Sequence, residues 1–121
     1  MRRRIDPEQG IELIRCYWMG RELSKADQQR AIRFALEEFA VRHPGKSVEI
    51  RIPWVGAVQA ISGPVHTRGT PPNIVEMDGQ TWLDLVIGRE PEGRIRASGT
   101  RADLSSFMPL FGPAQLQEKQ R

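Results

Sequence analysis

Residues 78–111, DGQTWLDLVIGREPEGRIRASGTRADLSSFMPLF, set a capped helix, a strand and a dense apolar segment in succession with almost no connecting chain. Asp78 suits an N-cap, because its carboxylate accepts from backbone N–H groups one turn on, and Gly88 suits the left-handed residue that ends a helix. A strand reads through Arg94-Ile95-Arg96-Ala97-Ser98 and stops at Gly99. Leu104, Phe107, Met108, Leu110 and Phe111 then cluster, so this end is expected to lie against other apolar surface.

Upstream, Asp6-Pro7 reads as an N-cap followed by proline at the first helical position, and Ile11, Leu13, Ile14, Tyr17 and Trp18 form an apolar stripe. The spacing predicts a helix over about 7–19, ended by Gly20. Ser24 with Asp27 makes an approximate capping box for a second helix, in which Ile32, Ala35, Leu36, Phe39 and Ala40 share one face. Arg30, Arg33, Glu37 and Glu38 take the other, and His43-Pro44-Gly45 stops it. From Ser47 the period becomes two: Val48, Ile50 and Ile52 alternate with Glu49 and Arg51. Val55 to Ile61 is expected to pair with that strand across a turn at Pro53-Trp54, and Asn73 to Met77 reads as a third strand. The resulting order, α-α-β-β-β-α-β-α, predicts an α+β fold with a mainly antiparallel sheet of four to five strands and helices on one face. One strand is expected to join through a helical crossover.

The 121 residues suit a single domain, with residues 1–5 as a basic N-terminal arm and 113–121 as a frayed tail. Eighteen basic against fifteen acidic residues give a net charge of +3, and Arg2, Arg3 and Arg4 account for the whole excess. The body is close to neutral, which argues against specific nucleic-acid binding. Asp6, Glu8, Gln9 and Glu12 interrupt any secretory h-region, and no run approaches the ~20 apolar residues of a spanning helix. One cysteine, Cys16, allows no intramolecular disulfide, which fits a reducing cytoplasm.

Residues 63–73, Gly63-Pro64-Val65-His66-Thr67-Arg68-Gly69-Thr70-Pro71-Pro72-Asn73, concentrate an imidazole, a guanidinium and hydroxyls among residues that stiffen or contort the backbone. His66 suits a base or donor near neutral pH and Arg68 a bidentate partner for carboxylate or phosphate. The alternative is that these groups cap strands and satisfy buried backbone. Arg101 has the same two readings: an internal ion pair, or an anion-binding corner shared with Arg68. Trp18 and Trp82 suit core or cavity wall, whereas Trp54, at a hairpin turn, offers a transient membrane or partner contact if exposed. Phe107, Met108, Leu110 and Phe111 read as core or as an adaptable lid over an apolar ligand. No Gly-x-Ser-x-Gly elbow, His-Glu-x-x-His pair or phosphate-cradling glycine loop is present, and His43 with His66 makes a poor metal set. No catalysis, metal or cofactor is expected.

Trp82-Leu83-Asp84-Leu85-Val86-Ile87-Gly88-Arg89, Gly93-Arg94-Ile95-Arg96-Ala97-Ser98-Gly99 and Asp103-Leu104 together resemble the sterol-carrier-protein family, in which a Gly-Arg-terminated helix leads to a Gly-flanked strand and a closing helix. Arg4-Ile5-Asp6-Pro7, His66 to Asn73 and Ser98 to Leu104 extend the likeness across nearly the whole chain to a short sterol-carrier-like family of actinobacteria. One departure is that only Glu90-Pro91-Glu92 stands where sterol carriers place a further short helix. The resemblance implies non-catalytic binding or transfer of a lipid-like molecule in a cavity between sheet and helices. The wall candidates are Ile50, Ile52, Val58, Ile61, Trp82, Leu85, Val86, Phe107, Met108 and Phe111; the head-group candidates are His66, Arg68 and Arg101. The alternatives are an interaction module whose cavity is filled by side chains, and a small enzyme or accessory domain using His66.

Overall fold

Three side-chain caps start the three longer helices at the places their sequences mark. In the computed structural model, which describes residues 2–63, 73–98 and 103–117, Asp6 accepts from the Gln9 N–H and opens α1 (Pro7–Trp18). Ser24 accepts from the Asp27 N–H at the start of α2 (Lys25–Arg42), and Asp78 from the Thr81 N–H at the start of α3 (Gly79–Val86). Each cap satisfies one donor that a helix start leaves without an intrahelical partner. Gly88 takes φ +81° after α3, the left-handed conformation that glycine adopts without a Cβ penalty.

The sheet contains β1 (Val48–Ile52), β2 (Gly56–Ala60), β3 (Asn73–Glu76) and β4 (Arg96–Ser98) in the order β2-β1-β3-β4. β1 forms a hairpin with β2, leaving its other edge to β3, which runs parallel to it. The sheet is therefore mixed. The strand after α3 joins the sheet through that helix and pairs antiparallel to β3, and it spans three residues rather than five.

Alternation sorts the two faces. Arg51, Glu76 and Arg96 make a charged row across three strands on the face away from the helices. On the inner face Val58, Ile50, Val75 and Ala97 are register neighbours across all four strands. The side chains of Ile50, Ile52 and Val75 are almost wholly buried there. Asn73 ties the starts of β3 and β1 together, its Nδ2 donating to the Ser47 carbonyl at 2.8 Å.

α2 lies at the centre of the helical layer and is buried nearly all round, including Glu37 and Glu38, which the sequence pattern assigns to a solvated face. The reason is the N-terminal arm, which lies across them. The Arg4 and Ile5 N–H groups donate to Glu37 Oε1 at 3.1 and 3.2 Å, and Arg3 donates to Glu38 at 2.5 Å, opposite Arg42 at 2.6 Å. Ile5 is buried in the core, so the arm is anchored at its end. Burial raises the Glu38 carboxyl, but hydrogen bonds and charge from Arg3 and Arg42 outweigh it and hold the group below its usual range. Where α1 crosses α2, Gly10 admits the Phe34 ring: an added Cβ would lie 2.3 Å from it.

The C-terminal end departs most from expectation. A 3-10 turn (Ser105–Phe107) replaces a longer closing helix, and α4 (Pro113–Leu116) follows within the stretch expected as a frayed tail. Leu116 is wholly buried and its carbonyl accepts from Arg15 Nε at 2.9 Å, which docks α4 on α1.

Candidate functional site

The apolar interior between sheet and helices contains an aromatic cluster built from distant parts of the chain, wholly buried at Phe39 and Trp82 and half-buried at His43 and Phe107. Phe39 of α2 meets Trp82 of α3 edge-on at 6.1 Å and Phe107 of the closing segment at 5.6 Å. His43, one helical turn after Phe39, stands 5.0 Å from that ring and 4.7 Å from Phe107. Trp82 is fixed by its indole, whose Nε1 donates to the Ile32 carbonyl at 3.3 Å. Burial, and then the neighbouring Arg42 charge, lower the His43 pKa below its usual 6.5, so the ring is neutral at neutral pH.

Ile61 borders the same cluster, its N–H donating to the His43 carbonyl at 2.6 Å. Its φ of +70° is unusual for a β-branched residue. The conformation is held from both sides, since the Ile61 carbonyl also accepts from Ser47 N–H at 3.0 Å.

Of the ten wall candidates, Ile50, Ile52, Val58, Trp82, Val86 and Phe111 are buried, while Ile61, Leu85, Phe107 and Met108 are half-buried. Phe111 stacks on Phe34 with ring centroids 5.8 Å apart, lies under the Arg42 guanidinium at 5.4 Å, and its N–H donates to the Val86 carbonyl. Phe107 and Trp82 are brought together through Phe39 and His43. Sequence reasoning reads His43 as a helix stop and as half of a poor metal set; its four-residue spacing from Phe39 was the available signal, because such pairs share a helix face. His66, Arg68 and Arg101 lie outside the described residues.

A second polar cluster lies where α3 meets α1. The Tyr17 hydroxyl donates to the buried Asp84 carboxylate at 2.6 Å, and Arg89 stands 3.8 Å from the same oxygen and over the Tyr17 ring. Burial and then this hydrogen bond push the phenol above its ordinary range, so it remains protonated and a donor. Among the described residues no group of three or more His, Cys, Asp or Glu side chains converges as a metal site would require, and no helix is long and apolar enough to cross a membrane.

The model of the family described as bacterial SCP ortholog matches residues 24–110, from the cap of α2 through β4 to the closing segment. The chain belongs to the bacterial SCP ortholog family. The α+β architecture, with α2 packed against a four-stranded mixed sheet and α1 and α3 packed on α2, is consistent with a sterol-carrier-like fold. The matched region of this bacterial SCP ortholog contains both the aromatic cluster and the inner sheet row. A comparison with curated proteins returned no match.

Proposed function

We propose that this chain binds, and passes on, a lipid or other apolar small molecule held between the sheet and the helices, without catalysing a reaction on it. The observation that carries this reading is the inner sheet row Val58–Ile50–Val75–Ala97, which continues past the cover of the helices. Val75 is 1% exposed whereas its partner Ala97 is exposed, and Ile95 beside it is 39% exposed. An acyl or polycyclic body laid along this strip would shed water at about 25 cal/mol per Å² of apolar surface, before ordering costs. Phe107, Met108, Ile61 and Leu85 are the half-buried wall candidates, and in this proposal they make the adjustment that admits such a body. Family membership supports a carrier role of this general kind.

His66, Arg68 and Arg101 serve in this proposal as head-group contacts. Asn73 and Ser98, which flank their segments, sit at the same end of the β3–β4 pair, where Ile74 and Ser98 are register partners.

A second reading is supported by the close burial of Trp82, Phe39 and Phe111: an interaction module whose interior is filled by its own side chains. A solvatochromic fatty-acid probe, displaced in turn by a fatty acid, a sterol and a phospholipid, separates the two. Carrier function predicts saturable binding, weakened at least about tenfold by Ala97→Glu, which sets a charge on the apolar strip. Because Ala97 is exposed, the fold should persist. Absence of saturable binding across all three lipid classes would overturn the carrier reading in favour of the filled module.

A further inference from the structure

Trp54 is 84% exposed at the tip of the β1–β2 hairpin and adopts φ +69°, a backbone region that a bulky side chain rarely occupies. Glycine would satisfy the turn with less strain, and an indole in solvent returns no packing to the fold. Its surroundings suggest what it contacts. Gly56, two residues on, packs against α2: an added Cβ there would lie 3.5 Å from Leu36 Cδ1 and 3.7 Å from Arg33 Cγ. Gly56 and Ala57 line both the open hollow beside Trp54 and a second groove of about 440 Å³. That groove has a floor of Leu36 and Val58, with Gly56 and Ala57 along its strand edge, and a rim of Arg2, Arg4 and Arg33.

The rim is strongly cationic. Among the described residues no carboxylate pairs with the guanidinium of Arg2, Arg4 or Arg33. Glu37, which also borders the groove, already accepts two backbone N–H groups of the arm, and Arg51 beside Trp54 is paired with Glu49. Glu76, the remaining carboxylate near Trp54, faces Arg51 and Arg96 in the sheet register. The extended arm explains the sorting: Arg3 is spent on Glu38, whereas Arg2 and Arg4 border the groove.

We infer that this edge of the molecule, Trp54 with Arg2, Arg4 and Arg33, docks on the surface of an anionic bilayer. An indole inserts at the headgroup level, where its apolar ring and N–H are both accommodated, while arginines around it meet lipid phosphates. A single tryptophan beside an apolar-floored cationic groove fits a bilayer better than a nucleic acid, which would call for a stripe of arginines interleaved with several stacking rings. Val58 borders both this groove and the inner sheet row, but Trp54, Arg2, Arg4 and Arg33 are not among the residues proposed to hold cargo, so their substitution tests docking apart from cargo binding.

The test is co-sedimentation of the delipidated full chain with phosphatidylglycerol-containing and pure phosphatidylcholine vesicles at low and high salt. The expected result is binding to the anionic vesicles alone, weakened by salt. Paired Arg2→Gln and Arg4→Gln should reduce the partition coefficient about 25-fold, at roughly fivefold for each arginine near an anionic surface. Trp54→Gly should reduce it at least about tenfold while leaving the melting temperature unchanged or higher, because glycine suits the positive φ. Binding of Trp54→Gly equal to that of the native chain would overturn the proposal. So would salt-sensitive binding to single-stranded or duplex DNA without vesicle binding, or Trp54-dependent self-association in gel filtration with no vesicle binding.

Discussion

Phe111→Ala tests where the interior ends and the core begins. Phe111 is wholly buried, stacks on Phe34 and carries the Arg42 guanidinium above its ring. Truncating a buried phenylalanine costs about 3–5 kcal/mol, and losing an aromatic pair of about 0.5–1.5 kcal/mol places this site in the upper part of that range. The backbone has little reason to collapse into the gap, since the Phe111 N–H still donates to Val86 and Arg42 still donates to the Leu110 carbonyl. For 121 residues the unfolding entropy is about 0.25 kcal/mol/K, so a loss of about 4–5 kcal/mol lowers the melting temperature by about 16–20 °C. Urea unfolding followed by circular dichroism measures this, with Phe107→Ala as the comparison. Half-buried Phe107 should cost only about 1–2 kcal/mol while weakening a lipid probe more than Phe111→Ala does. A Phe111→Ala loss below about 1 kcal/mol, together with abolished probe binding, would refute the reasoning, because it would mean that the ring faces ligand space rather than protein.

Gly10→Ala should destabilise by about 1–3 kcal/mol despite alanine's better helix propensity, because its Cβ would meet the Phe34 ring at 2.3 Å; a variant as stable as the native chain in thermal melts would contradict that crossing. Acidification should reduce stability in two steps. The lowered pKa of His43 means that the unfolded chain takes up its proton first, so its contribution is complete above pH 6.5 and is lost as pH falls through the folded value. Glu38, also lowered, contributes above its ordinary 4.5 and is lost as pH falls through its folded value. Urea midpoints measured against pH should lose the first step in His43→Gln and the second in Glu38→Gln; persistence of either step in its variant assigns it to another group.

Features set by neighbouring residues are legible in the sequence alone. The three caps at Asp6, Ser24 and Asp78, the left-handed stop at Gly88 and the alternation of β1 each follow from chemistry within a turn or a strand. The apolar wall is legible as composition but not as depth: Phe111 and Phe107 sit four residues apart in the same greasy segment, yet one is wholly buried and the other half-buried. The α4 docking is also hidden, because Leu116 looks like an isolated leucine in a polar tail until Arg15, 101 residues away, reaches its carbonyl.

The sequence by itself determined the order of helices and strands, the apolar inner face of the sheet and the family likeness, since helical and strand periods and cap geometry are local properties of the chain. Tertiary structure alone decided that β3 lies parallel to β1, that Glu37 and Glu38 are buried beneath the arm, and that Arg2, Arg4 and Arg33 gather on the edge next to Trp54. Each of these joins groups tens of residues apart. Which distant groups meet depends on how whole elements pack, and burying a carboxylate becomes favourable only once the arm supplies the donors that replace its water.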